Sequence, residues 1–210
     1  MLLKNGVTHA TDVELLAAVL GNRRAAETLL RKAGGSLYSL LHEVPQTNGE
    51  FFCSDKASAY AGDPIAKLQA ARELAARAIA EDLRGRDCLT SPSAVRDLLK
   101  HRLAGLPHEV FVCIQLDAQH RVIAIEELFR GTLTQTSVYP REVVKASLRA
   151  NAAAVIFAHN HPSGVAEPSH ADELLTRSLK QALALVDVKV LDHFIVAGTS
   201  ALSFAERGLI

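Results

Sequence analysis

The segment from Ala153 to Asp172 constrains this chain more than any other. An apolar run, Ala153–Ala158, meets His159-Asn-His161 and then a stretch broken by Pro162, Gly164 and Pro168. Ser169 and Asp172 follow at the head of a new helical pattern that reaches about Leu185. A strand that stops in a tight turn and is followed at once by a helix is a building block of α/β and α+β domains. The spacing also carries chemistry. Side chains two apart in an extended chain point to the same side, so His159 and His161 can reach one ion. Asp172 lies one turn into the helix, where its carboxylate can swing back toward them. Three ligands of His2Asp type suit a catalytic zinc, because a fourth position stays open for water. The alternative reading is plain: solvated loop histidines, and Ser169-x-x-Asp172 as a capping box.

The rest of the chain divides by periodicity. The first half is helical throughout. Thr11-Asp-Val-Glu14 has the form of a capping box ahead of Leu15, Leu16 and Val19. A second helix is expected from Arg23 to Lys32, stopping at Gly34-Gly35, and a short third behind Ser36 with Leu37, Leu40 and Leu41. After a polar loop around Gln46–Glu50, Asp63-Pro64 is a good start for a long helix with Ile65, Leu68, Ala71, Leu74, Ala75 and Ile79 on one side. The charged, turn-prone Glu81–Asp87 marks the domain boundary, giving residues 1–86 and 87–210.

The second half mixes periods. Ser91-Pro92-Ser93 opens a helix with Val95, Leu98 and Leu99. Glu109–Asp117 reads as a strand, with Arg121–Phe129 as its hairpin partner across Ala118-Gln119-His120. A short strand is expected over Thr132–Val138, a helix from Pro140 to Asn151, and closing strands around Val188–Leu191, Phe194–Ala197 and Ala201–Phe204. The fold class is therefore α/β (α+β), a mixed β-sheet with flanking helices preceded by a small all-α domain.

Composition excludes several classes. Hydrophobic residues form 49% of the chain, enough for a core and too many for a disordered chain. The 23 basic and 23 acidic side chains cancel, so the basic excess of a phosphate-binding protein is absent. Cys53, Cys88 and Cys113 are odd in number and widely spaced, which argues against a disulfide framework and for free thiols in a reducing compartment. No signal-peptide pattern or 18-residue apolar run stands out, so cytoplasmic localisation without a membrane segment is expected.

His-x-His, seven residues, Ser, two residues, Asp is the signature of the JAMM/MPN+ metalloprotease domain, and His159, His161, Ser169 and Asp172 match it without a gap. The flanks Gly131–Glu142, Asn151-Ala-Ala-Ala, His159-Asn-His-Pro-Ser-Gly164 and Leu191-Asp-His193 resemble bacterial RadC proteins. The likeness covers residues 91–204 closely and the helical half more loosely. It implies hydrolysis of a peptide or isopeptide bond of a protein substrate by a zinc-bound water. It also implies an upstream glutamate as general base, here Glu109, and Ser169 as an oxyanion donor. Glu126, Glu127 and Glu142 are rivals to Glu109. The first two sit in the hairpin, and Glu142 fits a helix first turn, where an acid is favourable. His193 reads either as a residue orienting a ligand or as a core histidine. His170 is expected to face solvent, and His9, His42, His101, His108 and His120 carry no pattern. Arg141 and Lys145 sit one turn apart and read as a solvated face, with contact to phosphate or an acidic substrate as the alternative.

The same resemblance links the chain to DNA repair and implies a helix-hairpin-helix-like region in residues 1–86, with glycines offering N–H groups to a phosphate. Ala59-Tyr60-Ala61 stands in their place, and alanine resists the positive φ that glycine allows. Weak or no DNA binding is expected. A titration of DNA affinity against salt should be flat or show no binding at low salt, and a steep salt dependence would overturn this expectation.

Overall fold

The computed structural model describes residues 10–42, 63–84, 92–131 and 138–210. By internal contacts the chain divides into Met1–Ala75 and Ala76–Ile210. The sequence-based division at residues 86 and 87 falls among residues outside those described.

The first unit is helical. Helix α1 (Asp12–Leu20) starts with the expected capping box, Thr11 and Glu14 satisfying each other's backbone N–H groups. It ends at Gly21, whose φ of 72° is a conformation that costs glycine nothing. Helix α2 (Arg23–Lys32) is capped by Asn22, and α3 (Leu37–His42) by the Ser36 hydroxyl. Helix α4 (Pro64–Arg84), within which the boundary between the units falls, begins behind Asp63, which accepts the Ile65 N–H at 2.9 Å. Leu16, Leu20, Ala26, Leu40 and Leu68 form the core of this unit. Lys67 reaches across to the free carbonyl of Leu20, 3.0 Å away. Glu81–Arg84, expected to turn, instead form the last turn of α4. Single charged residues do not stop a helix whose other positions are good helix formers. The loop expected at Gln46–Glu50 lies outside the described residues.

The second unit contains α5 (Pro92–Leu103), β1 (Val110–Leu116), β2 (Val122–Arg130), α6 (Pro140–Arg149), β3 (Ala154–Asn160), α7 (His170–Ala184), β4 (Lys189–Ala197) and β5 (Ser200–Ser203). The strand order is β2-β1-β3-β4-β5. Only β3 and β4 run parallel, joined by α7, and the other pairs are antiparallel. The sheet is mixed, as expected. The β1–β2 turn is closed by Asp117, whose carboxylate accepts the N–H groups of Gln119 and Arg121.

Strands β1 and β3 are buried along their whole length, which explains their continuous apolar runs. On one face Phe111, Cys113, Val155 and Phe157 pack with Val143 of α6 and with Leu179 and Leu183 of α7. Helix α5 contributes buried Val95, Leu98, Leu99 and Leu103. Cys113 is a free, buried thiol, and desolvation pushes its pKa well above the ordinary value, so it is unreactive.

Two expectations are corrected. The strands expected at Val188–Leu191 and Phe194–Ala197 are one strand, β4, running through Asp192-His193. Both polar residues are satisfied inside the sheet: Asp192 accepts from the Ser203 hydroxyl at 2.6 Å and from the Ala205 N–H at 3.0 Å. Strand β3, expected to end at His159, runs one residue further to Asn160, whose side chain has partners within the protein. Residues 132–137 of the strand expected over Thr132–Val138 lie outside the described residues. Among the described residues, no helix is long and apolar enough to cross a membrane.

Phe157 is fully buried at the centre of the main cluster. Phe157→Ala should cost about 3–5 kcal/mol of unfolding free energy, read from urea denaturation. A loss below about 1 kcal/mol would show that this cluster does not carry the fold.

Candidate metal centre

The site forms where β3 ends. His159 is the last-but-one residue of β3, held between Phe111 of β1 and Ile195 of β4. Its ring lies nearly parallel to that of Phe111, with centroids 6.4 Å apart. His161 follows the strand and is tied to β4 by its N–H, which donates to the Val196 carbonyl at 2.9 Å. The chain then turns, with the Gly164 N–H on the His161 carbonyl and Gly164 at φ 79°. The α7 helix begins at Ser169 and carries Asp172 back toward the histidines.

The Nε2 atoms of His159 and His161 lie 3.0 Å apart. Asp172 Oδ1 is 3.2 Å from His159 Nε2, and Oδ2 is 3.5 Å from His161 Nε2. Among the described residues, these three form the only group of histidine, cysteine, aspartate or glutamate side chains placed to hold a metal ion. Donors on a tetrahedral zinc, at bonds of about 2.0–2.1 Å, sit roughly 3.3 Å apart. The distance between the two Nε2 atoms, and that from each Nε2 to the nearer Asp172 oxygen, are close to this spacing.

Ser169-x-x-Asp172 is the capping box its spacing allowed, and the same Asp172 carboxylate faces the two histidines. Ser169 and Asp172 make a full capping box: the Asp172 N–H donates to the Ser169 hydroxyl oxygen, while Asp172 Oδ2 accepts from the Ser169 N–H and hydroxyl at 2.8 and 2.6 Å. The box leaves Oδ1 facing His159. The cap therefore aims the ligand.

Burial would push the Asp172 carboxyl up, but the contacts with His159 and His161 outweigh it and hold the group far below the usual range. The hydrogen bond to Asp172 raises His161 against the opposing effect of burial, and the Val165 carbonyl and the Glu109 charge add to the rise. The His161 Nδ1 lies 2.8 Å from that carbonyl, which can only accept, so Nδ1 carries a proton.

His193 is the core histidine its sequence position allowed, and it touches His159. It is fully buried, packed against Phe111, Phe157 and Phe204, and its Nε2 lies 2.9 Å from His159 Nδ1. Desolvation, helped by neighbouring His159, pushes its pKa well down, so it is neutral.

Glu109 directly precedes β1. The last β1–β3 pair is Phe111 with His159, so Glu109 lies two residues before the paired part of β1, at the end of the sheet where His161 follows β3. Its charge acts on His161. The rivals are engaged elsewhere: Glu126 pairs with Arg149, Glu127 with Arg130, and Glu142 with Arg141 and Lys145. Arg141 and Lys145 are accordingly the solvated face expected of them, and His170 is exposed.

Sequence reasoning missed Asn160. It sits between the two histidines, so strand alternation sends its side chain the other way. It is buried at 2% exposure, accepts the Val110 N–H at 2.8 Å and donates to the His108 carbonyl at 3.0 Å and to that of Leu106 at 3.4 Å. With the Gly131 N–H on the Glu109 carbonyl, this amide fixes the backbone that presents Glu109. An amide inside an apolar strand was the available signal. Thr176 was missed too, although it stands one helical turn after Asp172 on the same face.

Residues 89–209 match the profile of the RadC-like JAB domain family. A UPF0758 protein of Nitrosomonas eutropha is 55% identical over 211 residues, covering 100% of this chain and 93% of the relative. A UPF0758 protein of Nitrosospira multiformis is 55% identical over 215 residues with the same coverage. One of Nitrosomonas europaea is 53% identical over 219 residues.

Asn160→Ala should remove about 1–3 kcal/mol of stability in urea unfolding, because it strands a buried N–H. A neutral substitution would show that the amide is not needed to hold the segment before β1.

Proposed function

The chain belongs to the RadC-like JAB domain family, and on that footing we propose that it is a zinc-dependent, metallopeptidase-like hydrolase acting on a peptide or isopeptide bond. The observation that carries this reading is the convergence of His159 Nε2, His161 Nε2 and the Asp172 carboxylate, with ligand atoms within 4.8 Å of one another. Two imidazoles and one carboxylate are a donor set zinc favours, and three protein ligands are the number a catalytic zinc takes. The ligand side chains keep some exposure, 8% for His159, 14% for His161 and 16% for Asp172, so they are not sealed from water. When bound, zinc would lower the pKa of a coordinated water toward about 7 and polarise the scissile carbonyl.

The protein's own groups divide the remaining work. Glu109, at the same end of the sheet as His161, takes the proton from the attacking water and returns it to the leaving amine. Ser169 donates to the developing oxyanion by turning its hydroxyl away from Asp172, whose carboxylate keeps the Ser169 N–H as a partner. The substrate is a protein or peptide whose carbonyl reaches the end of β3.

Metal analysis of the full chain purified without chelator should find about one zinc per molecule, and metal-free protein would sink the site. His159→Ala and Asp172→Asn should each lower the metal content. Glu109→Gln should keep the zinc and lose about 10²-fold or more in hydrolysis of a peptide substrate. Full activity in Glu109→Gln would place the base elsewhere.

A further inference from the structure

One buried row of contacts behind the ligands determines where their protons sit. The Asp172 main-chain carbonyl, which can only accept, lies 2.6 Å from Thr176 Oγ1. The single hydroxyl proton of Thr176 is therefore directed at that carbonyl. Thr176 Oγ1 also lies 2.6 Å from His193 Nδ1, so in that contact the oxygen accepts and Nδ1 carries the proton. A neutral imidazole then has a bare Nε2. His159 Nδ1, 2.9 Å from that bare nitrogen, must donate to it. His159 thus carries a proton on Nδ1, which leaves Nε2, turned toward His161 and Asp172, as the nitrogen open to a cation. The opposite assignment sets lone pair against lone pair at one of these contacts. Thr176 and His193 are 1% and 0% exposed, so no water is at hand to relieve such a clash.

We propose that Thr176 and His193 are positioning residues that lock His159 in the Nδ1–H tautomer, keeping its Nε2 free for a metal ion. The purpose of the relay rests on the metal-site reading, but the tautomer is set by the protein alone. Helix α7 thereby supplies two things from one face: Asp172 as a ligand and Thr176 one turn later to prepare a second ligand. His161 obtains the same tautomer more simply, from the Val165 carbonyl. Metal-bound histidines commonly rely on such partners, and losing one typically lowers metal affinity about 10–100-fold.

The test uses the full chain with 15N-labelled histidine. In the metal-free wild type, NMR should show His159 as the single Nδ1–H tautomer. Thr176→Val removes the acceptor, frees the His193 proton to move to Nε2, and should leave His159 in mixed tautomers. Its zinc affinity, from competition with a chromophoric chelator, should fall about 10–100-fold. Thr176→Ser should restore both readings, which a merely space-filling role would not require. His193→Phe should behave like Thr176→Val, and His193→Gln, which keeps an acceptor, should be milder. If His193→Phe does not fold, the Thr176 pair decides. An unchanged His159 tautomer in Thr176→Val, or zinc affinity within twofold of wild type, overturns the proposal. If the wild type takes up no zinc, the metal-site reading fails, while the NMR result on metal-free protein still judges the relay.

Discussion

An imidazole has two nitrogens that cannot play the same part while the ring is neutral, and His159 is buried where both must be satisfied. Much of the site's construction answers that one demand. The strand pairing that buries the ring brings His193 of β4 behind it, on the nitrogen that faces the sheet. The nitrogen that faces outward is left to His161 and Asp172. The aromatic rings around His193 keep water from substituting for these partners. Cover of the sheet by α7, the cap at Ser169 and the position of Thr176 all serve the same ring from different sides.

The cap shows how little material the site uses. The Asp172 carboxylate holds the N–H and hydroxyl of Ser169, the residue that caps α7, with one oxygen and points the other at His159. A helix N-terminus favours negative charge on its own account, so the carboxylate stays ionised where a ligand must be. The donor set is thus assembled by interactions that belong to the fold. Small zinc domains that are unfolded without their metal are built the other way round.

The parts of this arrangement that were legible in the sequence are those with local signatures. The helices announced themselves through Thr11-x-x-Glu14, Asp63-Pro64 and the 3.6-residue period, and the triad through the spacing of His159, His161 and Asp172. What was not legible depends on which strand lies beside which. Asp192 and His193 read as a break between two strands because their partners, Ser203, Ala205 and His159, are remote or lie on another strand. Asn160 looked incidental until β1 was placed next to β3, when its amide met the Val110 N–H. Glu109 is favoured over Glu126 and Glu127 by the apolar strand that follows it, a local signal, whereas the surface ion pairs of the other two, with Arg149 and Arg130, have no signature in the sequence.

Asn160 and its two flanking histidines share three consecutive positions, with the amide facing opposite to the imidazoles. In a strand, a slip of one residue exchanges the two faces. Mispairing β3 against β1 by one step would therefore bury neither histidine correctly and would leave the Val110 N–H without its acceptor. The tripeptide works as a key cut on both edges: it turns only in the one alignment that also assembles the site, so a misthreaded sheet is penalised before any chemistry is attempted.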